Sequence, residues 1–410
     1  MNNIKNRWCL KQLQRALKVM PAVVVTGARQ TGKTTLVRNL LHDNRKYFSL
    51  DELDTFELAR TSPETLTVQQ PLTIDEVQRV PEVLHAVKTT IDKKRESGAF
   101  VLTGSANLLL MSAVSESLAG RALYLELLPF CPSEFSATNE NLSPLDALFS
   151  STFTPDDWPQ DEGDWRSWAL KGGMPSAAML ETEDDRALWF SGYIQTYLER
   201  DLRQLAAVTS LSDFQRIMRL AANRTGRLLN QSEIARDAGV PQPTCHRYLN
   251  LLETGYQITR LSPYHTNPAQ SIVKTKKLMF RDSGIAAYLA GINTMSALEK
   301  RLDSGFWLEQ AIFQTLQTWR SIDPVNRNIF FWRDRRGNEV DFVLEDTGRL
   351  IAIEIKSSNR GLPSDCAGIN AFKKAVSKHN SVQGVVLHAG SDRRSIGENC
   401  FALPFGWMFP

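Results

Sequence analysis

Gly27-Ala-Arg-Gln-Thr-Gly-Lys-Thr34 follows the short β-branched run Ala22-Val-Val-Val-Thr26 and precedes the amphipathic stretch Thr35-Leu-Val-Arg-Asn-Leu-Leu41. This order of strand, glycine-bearing loop and helix decides the fold of the first part of the chain. The loop satisfies the G-x-x-x-x-G-K-[ST] pattern, and each required position has its own task. Gly27 and Gly32 let the backbone curl, so that the N–H groups of Ala28, Arg29, Gln30, Thr31, Lys33, Thr34 and Thr35 can face phosphate oxygens. The Lys33 ammonium reaches the β- and γ-phosphates, and the Thr34 hydroxyl completes a magnesium shell. The helix that follows points its N-terminus at the anion. ATP with Mg²⁺ is the expected ligand.

Composition sets the outer limits. A chain of 410 residues is long enough for two to four domains. Hydrophobic content of 42% and charged content of 23% are those of a soluble globular protein. No run approaches the roughly 18 apolar residues of a membrane span. The first ten residues lack an apolar signal core; Trp8, Leu13 and Leu17 suggest an amphipathic helix. Five cysteines are scattered and never spaced as a zinc knuckle, so a reduced, cytoplasmic protein is expected. A net charge of +3 is too small to argue for nucleic acid by itself.

A phosphate loop needs acids on a neighbouring strand, and Pro71-Leu-Thr-Ile-Asp75-Glu76 supplies two at its end. Asp75 would hold Mg²⁺ through water. Glu76, one step further, would polarise the attacking water. Arg45-Lys-Tyr-Phe-Ser-Leu50 and Ala99-Phe-Val-Leu-Thr-Gly-Ser105 read as further strands, and the second ends in small polar residues. Thr103 or Ser105 would sense the γ-phosphate, although a plain strand-to-loop turn explains the same residues. With Ala122-Leu-Tyr-Leu-Glu-Leu127, these segments predict a parallel sheet with helices on both faces.

This order of motifs resembles an AAA-type ATPase. The resemblance implies that Arg121, just ahead of the fifth strand, projects into the nucleotide of a neighbouring subunit. The protein would then be a homo-oligomer, with a hexamer as one candidate size. A surface arginine or an intrachain ion pair explains Arg121 without an oligomer. Arg200, in Tyr197-Leu-Glu-Arg-Asp201, is only a weak candidate for a second sensor. More narrowly, the chain resembles a bacterial and archaeal group of AAA-type ATPases with a C-terminal domain of unknown function. The phrases that carry this are the loop itself, Ile74-Asp-Glu-Val-Gln78, Leu102-Thr-Gly-Ser105, Leu118-Ala-Gly-Arg121, Gly172-Gly-Met-Pro175, Tyr197-Leu-Glu-Arg-Asp201 and Asn338-Glu-Val-Asp-Phe342.

Residues 131–170 are rich in Pro, Ser, Asn and Asp and read as loops, and 177–205 read as a helical lid over the nucleotide. Gln231–Ala238, the turn Gly239-Val-Pro241 and the helix from Gln242 to Leu252 have helix-turn-helix spacing. Cys245, Tyr248, Leu249 and Leu252 would be buried, leaving Thr244, His246 and Arg247 exposed for DNA. Gln257–Ser262 would be a wing strand, followed by the basic cluster Lys274-Thr-Lys-Lys277. Docking of protein is the competing use of such a module.

Asn338-Glu-Val-Asp-Phe-Val-Leu344 and Leu350-Ile-Ala-Ile-Glu-Ile-Lys356 read as two strands around a turn. Period two puts Ile351, Ile353 and Ile355 on one face, and Ala352, Glu354 and Lys356 on the other. An acid and a lysine on a half-buried sheet need a reason, because unpaired buried charge costs several kcal/mol. With Asp341 and the helix acid Glu309, the set resembles the PD-(D/E)xK nuclease fold. That resemblance implies that Asp341 and Glu354 bind a metal ion, that Glu309 assists, and that Lys356 helps activate water. Arg335 and Arg336 would contact phosphates or form a solvated loop.

The expected architecture is therefore α/β and multidomain. Its parts are an AAA-type core (1–130), a linker and helical lid (131–205), a winged-helix-like domain (206–265) and a nuclease-like domain (266–410). The function expected is that of an oligomeric Mg-ATP-dependent ATPase acting on DNA. An ATP-controlled switch with an inert C-terminal scaffold is the main rival, and a DNA-binding repressor or toxin-like component is a third reading.

Overall fold

The computed structural model describes residues 4–41, 43–104, 118–136, 144–159, 163–196, 208, 210–267, 275–376 and 382–410. Five parallel strands form the first sheet: β1 (Ala22–Thr26), β2 (Lys46–Ser49), β3 (Leu72–Asp75), β4 (Phe100–Thr103) and β5 (Ala122–Glu126), in the order β2-β3-β4-β1-β5. Every residue of β1 is buried, because helices cover both faces, as a parallel sheet requires. Val24, Ile74 and Leu102 face the helix Val83–Lys93. Val23, Val25 and Val101 face the helix Cys9–Val19 and the turn of helix after the loop. That turn begins as α over Lys33–Thr35 and continues with π winding over Leu36–Leu40. Since the strands run parallel, Gly27, Asp75 and Thr103 all emerge at one edge.

The second unit has the helices Leu211–Ala222, Gln231–Ala238 and Gln242–Thr254. Asn230 caps the second through the Glu233 amide, and Gly239 ends it with φ 67°, a left-handed turn that glycine adopts at low cost. A two-stranded antiparallel ribbon follows, β6 (Ile258–Leu261) with β7 (Lys277–Phe280). Cys245, Tyr248, Leu249 and Leu252 are buried, as the periodicity requires.

The C-terminal unit starts with the long helix Ser304–Ile322. β8 (Arg327–Arg333), β9 (Glu339–Asp346) and β10 (Arg349–Lys356) form an antiparallel meander. The helix Ala367–Val376 then carries the chain back to β11 (Val382–His388), parallel to β10. β12 (Arg394–Gly397) and β13 (Cys400–Pro404) complete the order β12-β13-β11-β10-β9-β8. Ile351, Ile353 and Ile355 join one core with Phe313 and Leu316 of the long helix. Leu350 and Ala352 face the other way, onto Ile369 and Phe372.

Residues 131–170, expected as loops, contain the helices Pro132–Ser136, Pro144–Ala147 and Trp165–Lys171. Trp158 is buried against Trp407, and its indole N–H donates to Pro404 O (2.7 Å), so this stretch packs on the end of the C-terminal sheet. The described part of the expected lid, helix Glu183–Thr196, places Phe190 against Tyr288 of the helix Ser283–Leu289. Residues 197–207, which include Arg200, lie outside the described residues.

A buried polar seam joins the units. Gln314, on the long helix, donates to Phe130 O and to an Asp282 carboxylate oxygen (both 3.3 Å), and accepts from the Trp168 indole (3.2 Å). Gln310 accepts from the Thr225 hydroxyl (2.6 Å) and brackets Phe280 through both backbone groups (2.8 Å each). Asp282 accepts from the amides of Gly173 (2.6 Å) and Ile285 (2.8 Å). Burial pushes its carboxyl up to about 6, although these amides pull the other way. A Cβ at Gly173 would sit 1.9 Å from Phe130 O, so only glycine allows this approach. Asp282→Ala would strand two buried amides at about 1–3 kcal/mol each. Equilibrium urea unfolding should show a loss of about 3 kcal/mol; an unchanged midpoint would mean that the seam holds nothing.

Candidate functional site

At the shared edge of the first sheet, β4 lies between the loop strand β1 and the acid strand β3. The Thr103 hydroxyl therefore meets Asp75: it donates to Asp75 Oδ1 and accepts from the Glu76 amide (3.1 Å). Asp75 Oδ2 accepts from the Thr34 hydroxyl (2.8 Å) and from the Tyr47 hydroxyl (2.7 Å). Burial and the Asp75 carboxylate both push the Tyr47 phenol above its usual range. Tyr47 thus remains a donor that fixes Asp75. Ser105 lies outside the described residues.

The loop residues fit a polyphosphate. Gly27 has φ 137°, and a Cβ there would come within 2.4 Å of Leu127 O; Gly32 has φ 94°. Gln30 also lies in the left-handed region, at φ 60°. The Lys33 ammonium is buried and donates to Gly27 O (3.2 Å) and Ala28 O (2.8 Å), so a cation already sits in the cup of the loop. Thr34 and Asp75, in direct contact, form an oxygen donor pair of the hard type that Mg²⁺ takes. Glu76 has φ 61° and ψ 43°, and its carboxylate accepts from the Gln78 amide. Backbone strain of this kind costs on the order of 1–3 kcal/mol and concentrates at functional positions.

Sequence reasoning missed Arg7. This buried guanidinium donates to Thr31 O (3.0 Å) in the loop and to Leu128 O (2.5 Å) in the wall after β5. It also stacks over Phe130 (4.3 Å) and pairs with Glu134 (3.5 Å). The partners lie 24 and 121 residues away, so no local signal marks it. Pro175, from the Gly-Gly-Met-Pro phrase, also approaches the loop: a Cβ at Gly32 would meet its ring at 3.9 Å.

Arg121 lies at the other edge of the sheet, where its carbonyl accepts from the Ala22 amide (3.2 Å). The five residues of β1 separate it from its own loop, a distance of about 16 Å. Its guanidinium forks onto Asp92 (2.6 and 3.0 Å), which is the intrachain ion pair that competes with a role in a neighbour.

In the C-terminal unit, Asp341 and Glu354 stand near each other where the pairing of β9 with β10 ends. Asp341 Oδ2 accepts from the Ile355 amide (2.8 Å), taking the place of a ladder partner. Lys356 donates to Glu354 Oε1 (2.7 Å). Burial, and then the Asp341 charge, push the Glu354 carboxyl up to about 7. Glu309, expected to assist a metal ion, lies on the long helix beside Lys277. It is buried and bonded to Lys277, whose ammonium belongs to this pair and not to an exposed basic cluster. Burial and then Asp341 push the Glu309 carboxyl up to about 8. Among the described residues no three acid, His or Cys side chains gather as a ready metal cage. His246 and Arg247 are exposed and Thr244 is half-buried on the helix Gln242–Thr254. His246 contacts Gln231 (3.0 Å), and Arg247 lies over the Tyr248 ring (5.3 Å). Arg335 and Arg336 are exposed in the turn between β8 and β9.

Comparison with known proteins agrees with the sheet. Residues 20–136 match the family model of an AAA domain, so this part of the chain is a P-loop ATPase-like domain of AAA type. Residues 162–296 and 304–408 match two domains of unknown function, DUF8612 and DUF4143. Uncharacterized proteins of Mycobacterium tuberculosis and Mycobacterium bovis are each 28% identical over 98% of this chain and 84% of their own length. A Walker-type ATPase of Pyrococcus abyssi is 15% identical, with 68% of this chain and 94% of that one covered and a TM-score of 0.40. The RuvB Holliday junction branch migration motor of Thermotoga maritima is 18% identical, with 62% and 90% covered and a TM-score of 0.28. No helix among the described residues is long and apolar enough to cross a membrane.

Arg7→Ala removes a buried charge and leaves Glu134 behind, so a loss of about 3–5 kcal/mol in chemical unfolding is expected. Arg7→Lys should recover only part of it, since an ammonium lacks the planar fork that reaches two carbonyls. Full rescue by lysine would reduce Arg7 to a point charge. Glu354 gives a pH signature. A carboxyl raised from 4.5 to about 7 binds its proton more tightly when folded. Its contribution to stability is fully present below 4.5 and is lost as pH rises towards 7. The decline in melting temperature across that window should be shallower in Glu354→Gln; parallel profiles would contradict the shift.

Proposed function

We propose that this chain is a homo-oligomeric, Mg-ATP-dependent ATPase that acts on DNA. The observation that carries the reading is the convergence of Lys33, Thr34, Asp75 and Glu76 on one sheet edge, with Asp75 already bonded to Thr34. Lys33 and the loop amides bind the phosphates. Asp75 and Thr34 would hold the Mg²⁺, which offsets charge on the phosphates. Glu76, once released by Gln78, orients the attacking water and accepts its proton. Tyr47 and Thr103 keep Asp75 in place.

The oligomer is supported by Arg121, which is too far from its own loop to serve it and is exchangeable from Asp92. DNA binding is supported by the three-helix unit with its β6–β7 ribbon, read as a winged helix with His246 and Arg247 outward. The C-terminal unit is read as PD-(D/E)xK-like. Its meander and parallel return strand bring Asp341, Glu354 and Lys356 to one end, where the acids would hold a metal ion and Lys356 would help activate water. A second reading has its own support: Lys356 and Lys277 already engage Glu354 and Glu309. On that reading the C-terminal unit is an inert scaffold, and ATP controls assembly or partner binding.

Lys33→Ala should abolish ATP binding, and Glu76→Gln should bind ATP but turn over about 100-fold or more slowly. Arg121→Ala should lose turnover and regain some when mixed with Lys33→Ala, since each supplies what the other lacks. A monomer in ATP by light scattering would rule out the shared site. Cleavage of single-stranded, duplex, forked and junction DNA with Mg²⁺ or Mn²⁺ should vanish in Asp341→Ala and Lys356→Ala while ATP hydrolysis persists. Absence of cleavage by the unaltered protein would leave the scaffold reading.

A further inference from the structure

The phosphate loop springs from Thr26, the last residue of β1, and the middle unit holds that point from outside the ATPase sheet. Thr26 is the register partner of Glu126 on β5, and its carbonyl accepts from the Leu127 amide (2.8 Å). Leu127 in turn stands against Gly27 of the loop. Glu126 is bonded to Arg281, the residue after β7. The Tyr256 phenol reaches the Thr26 side chain, and the Arg281 guanidinium lies over the Tyr256 ring (5.7 Å). The Arg281 amide donates to Gln257 O (2.9 Å), so both residues are carried by one hydrogen-bonded end of the β6–β7 ribbon. Arg320, on the long helix, is a further charge that acts on Arg281 and Glu126.

The backbone of Tyr256 is a second observation, independent of these contacts. Five described residues other than glycine have a positive φ. Thr347 and Asn399 sit in the hairpin turns between β9 and β10 and between β12 and β13. Gln30 and Glu76 belong to the ATP site. The fifth is Tyr256, at φ 57°, two residues after the helix Gln242–Thr254. An aromatic residue in that region is uncommon and carries a strain that glycine would not. Such backbone persists where the surrounding contacts over-determine it, and it clusters where a side chain must be held in a fixed place.

We propose that Arg281 and Tyr256 are positioning residues for ATP hydrolysis, which clamp the strand ends beneath the phosphate loop from the middle unit. The proposal rests on the ATPase reading above and extends that site beyond the first sheet. Affinity for the phosphates comes mainly from the loop's own amides and Lys33. Hydrolysis asks for more, because the γ-phosphate must stand in a fixed relation to Glu76 at the end of β3. Since β4 separates β1 from β3, that relation depends on how the end of β1 is held from both sides. A misplacement of about 1 Å can cost about 100-fold in rate. Loss of the clamp therefore falls on kcat more than on KM.

Steady-state ATP turnover by the full chain, measured well below its melting temperature, tests the clamp. Arg281→Gln and Glu126→Gln should each lower kcat about tenfold or more, with KM for ATP little changed. The double variant should lose no more than either single one, because the two residues act as one pair. Arg281→Lys should recover part of the rate. Tyr256→Phe, which keeps the ring and removes only the hydroxyl, should lower kcat several-fold. Glu126→Gln breaks the pair from the ATPase side, so the question is still answered if Arg281→Gln fails to fold. A lowered melting temperature with kcat unchanged would reduce these contacts to packing between units and overturn the proposal. Additive losses in the double variant would overturn it as well. An unaltered chain that does not hydrolyse ATP would instead sink the ATPase reading, and the clamp with it.

Discussion

The side-chain amide of Gln314 is the constraint on which the assembly of the units depends. It is 3% exposed on a helix whose residues from Trp307 to Trp319 are all buried, so both of its polar atoms need partners inside the protein. They find them at once on Phe130, Asp282, Trp168 and Ser283. Phe130 belongs to the segment leaving the ATPase sheet, while the others belong to the middle of the chain. An aliphatic residue of similar size would strand several of these groups. The helix is thus packed as a core element and also fixes the orientation of three units by directional bonds.

The seam continues to the phosphate loop without a break. Gly27 lies so close to Leu127 that a Cβ would come within 2.4 Å of its carbonyl. Leu128 accepts from Arg7, and Phe130 carries both the ring under Arg7 and the carbonyl taken by Gln314. The outer wall of the loop is therefore the same short stretch, 127–130, that meets the long helix. Close-packed interiors shift between discrete arrangements more readily than they deform. Displacement of this wall has to be shared by the loop, by Gly173 and by the helix that carries Glu309.

What was legible in the sequence follows from this geometry. The strands β1, β3 and β4 and the residues at their tips were readable, because a parallel sheet ties position along a strand to the edge where chemistry occurs. The alternation of β10 was readable for the same reason: its isoleucines and its charged residues part company at period two. Arg7, Tyr47, Asp282 and Gln314 were not readable, since their partners lie 121, 28, 109 and 184 residues away. Lys277 misled in the other direction. Counted with its neighbours it looks like a solvated basic run, but Glu309, 32 residues on, takes it into the core. Residues 131–170 misled because Pro and Asp signal turns, whereas Trp158 and Trp165 bury themselves whatever the backbone between them does.

The acids of the C-terminal unit pose a problem of charge balance. Asp341 acts electrostatically on both Glu309 and Glu354, and burial adds to the cost of ionising either. The Glu354 carboxyl, pushed up to about 7, is half protonated at neutral pH even with the Lys356 ammonium beside it. Lys277 supplies one cation on the side of the long helix, and Lys356 supplies another on Glu354. The first pair is sealed, and breaking it would leave a buried charge alone. The second is half-exposed and joined by one flexible side chain, so it can be exchanged. A divalent ion arriving between Asp341 and Glu354 would do the work of the ammonium and free Lys356 to act on something else. The same three residues therefore support a static ion pair or a metal-assisted site, and what separates the two is whether a cation outcompetes Lys356 for Glu354.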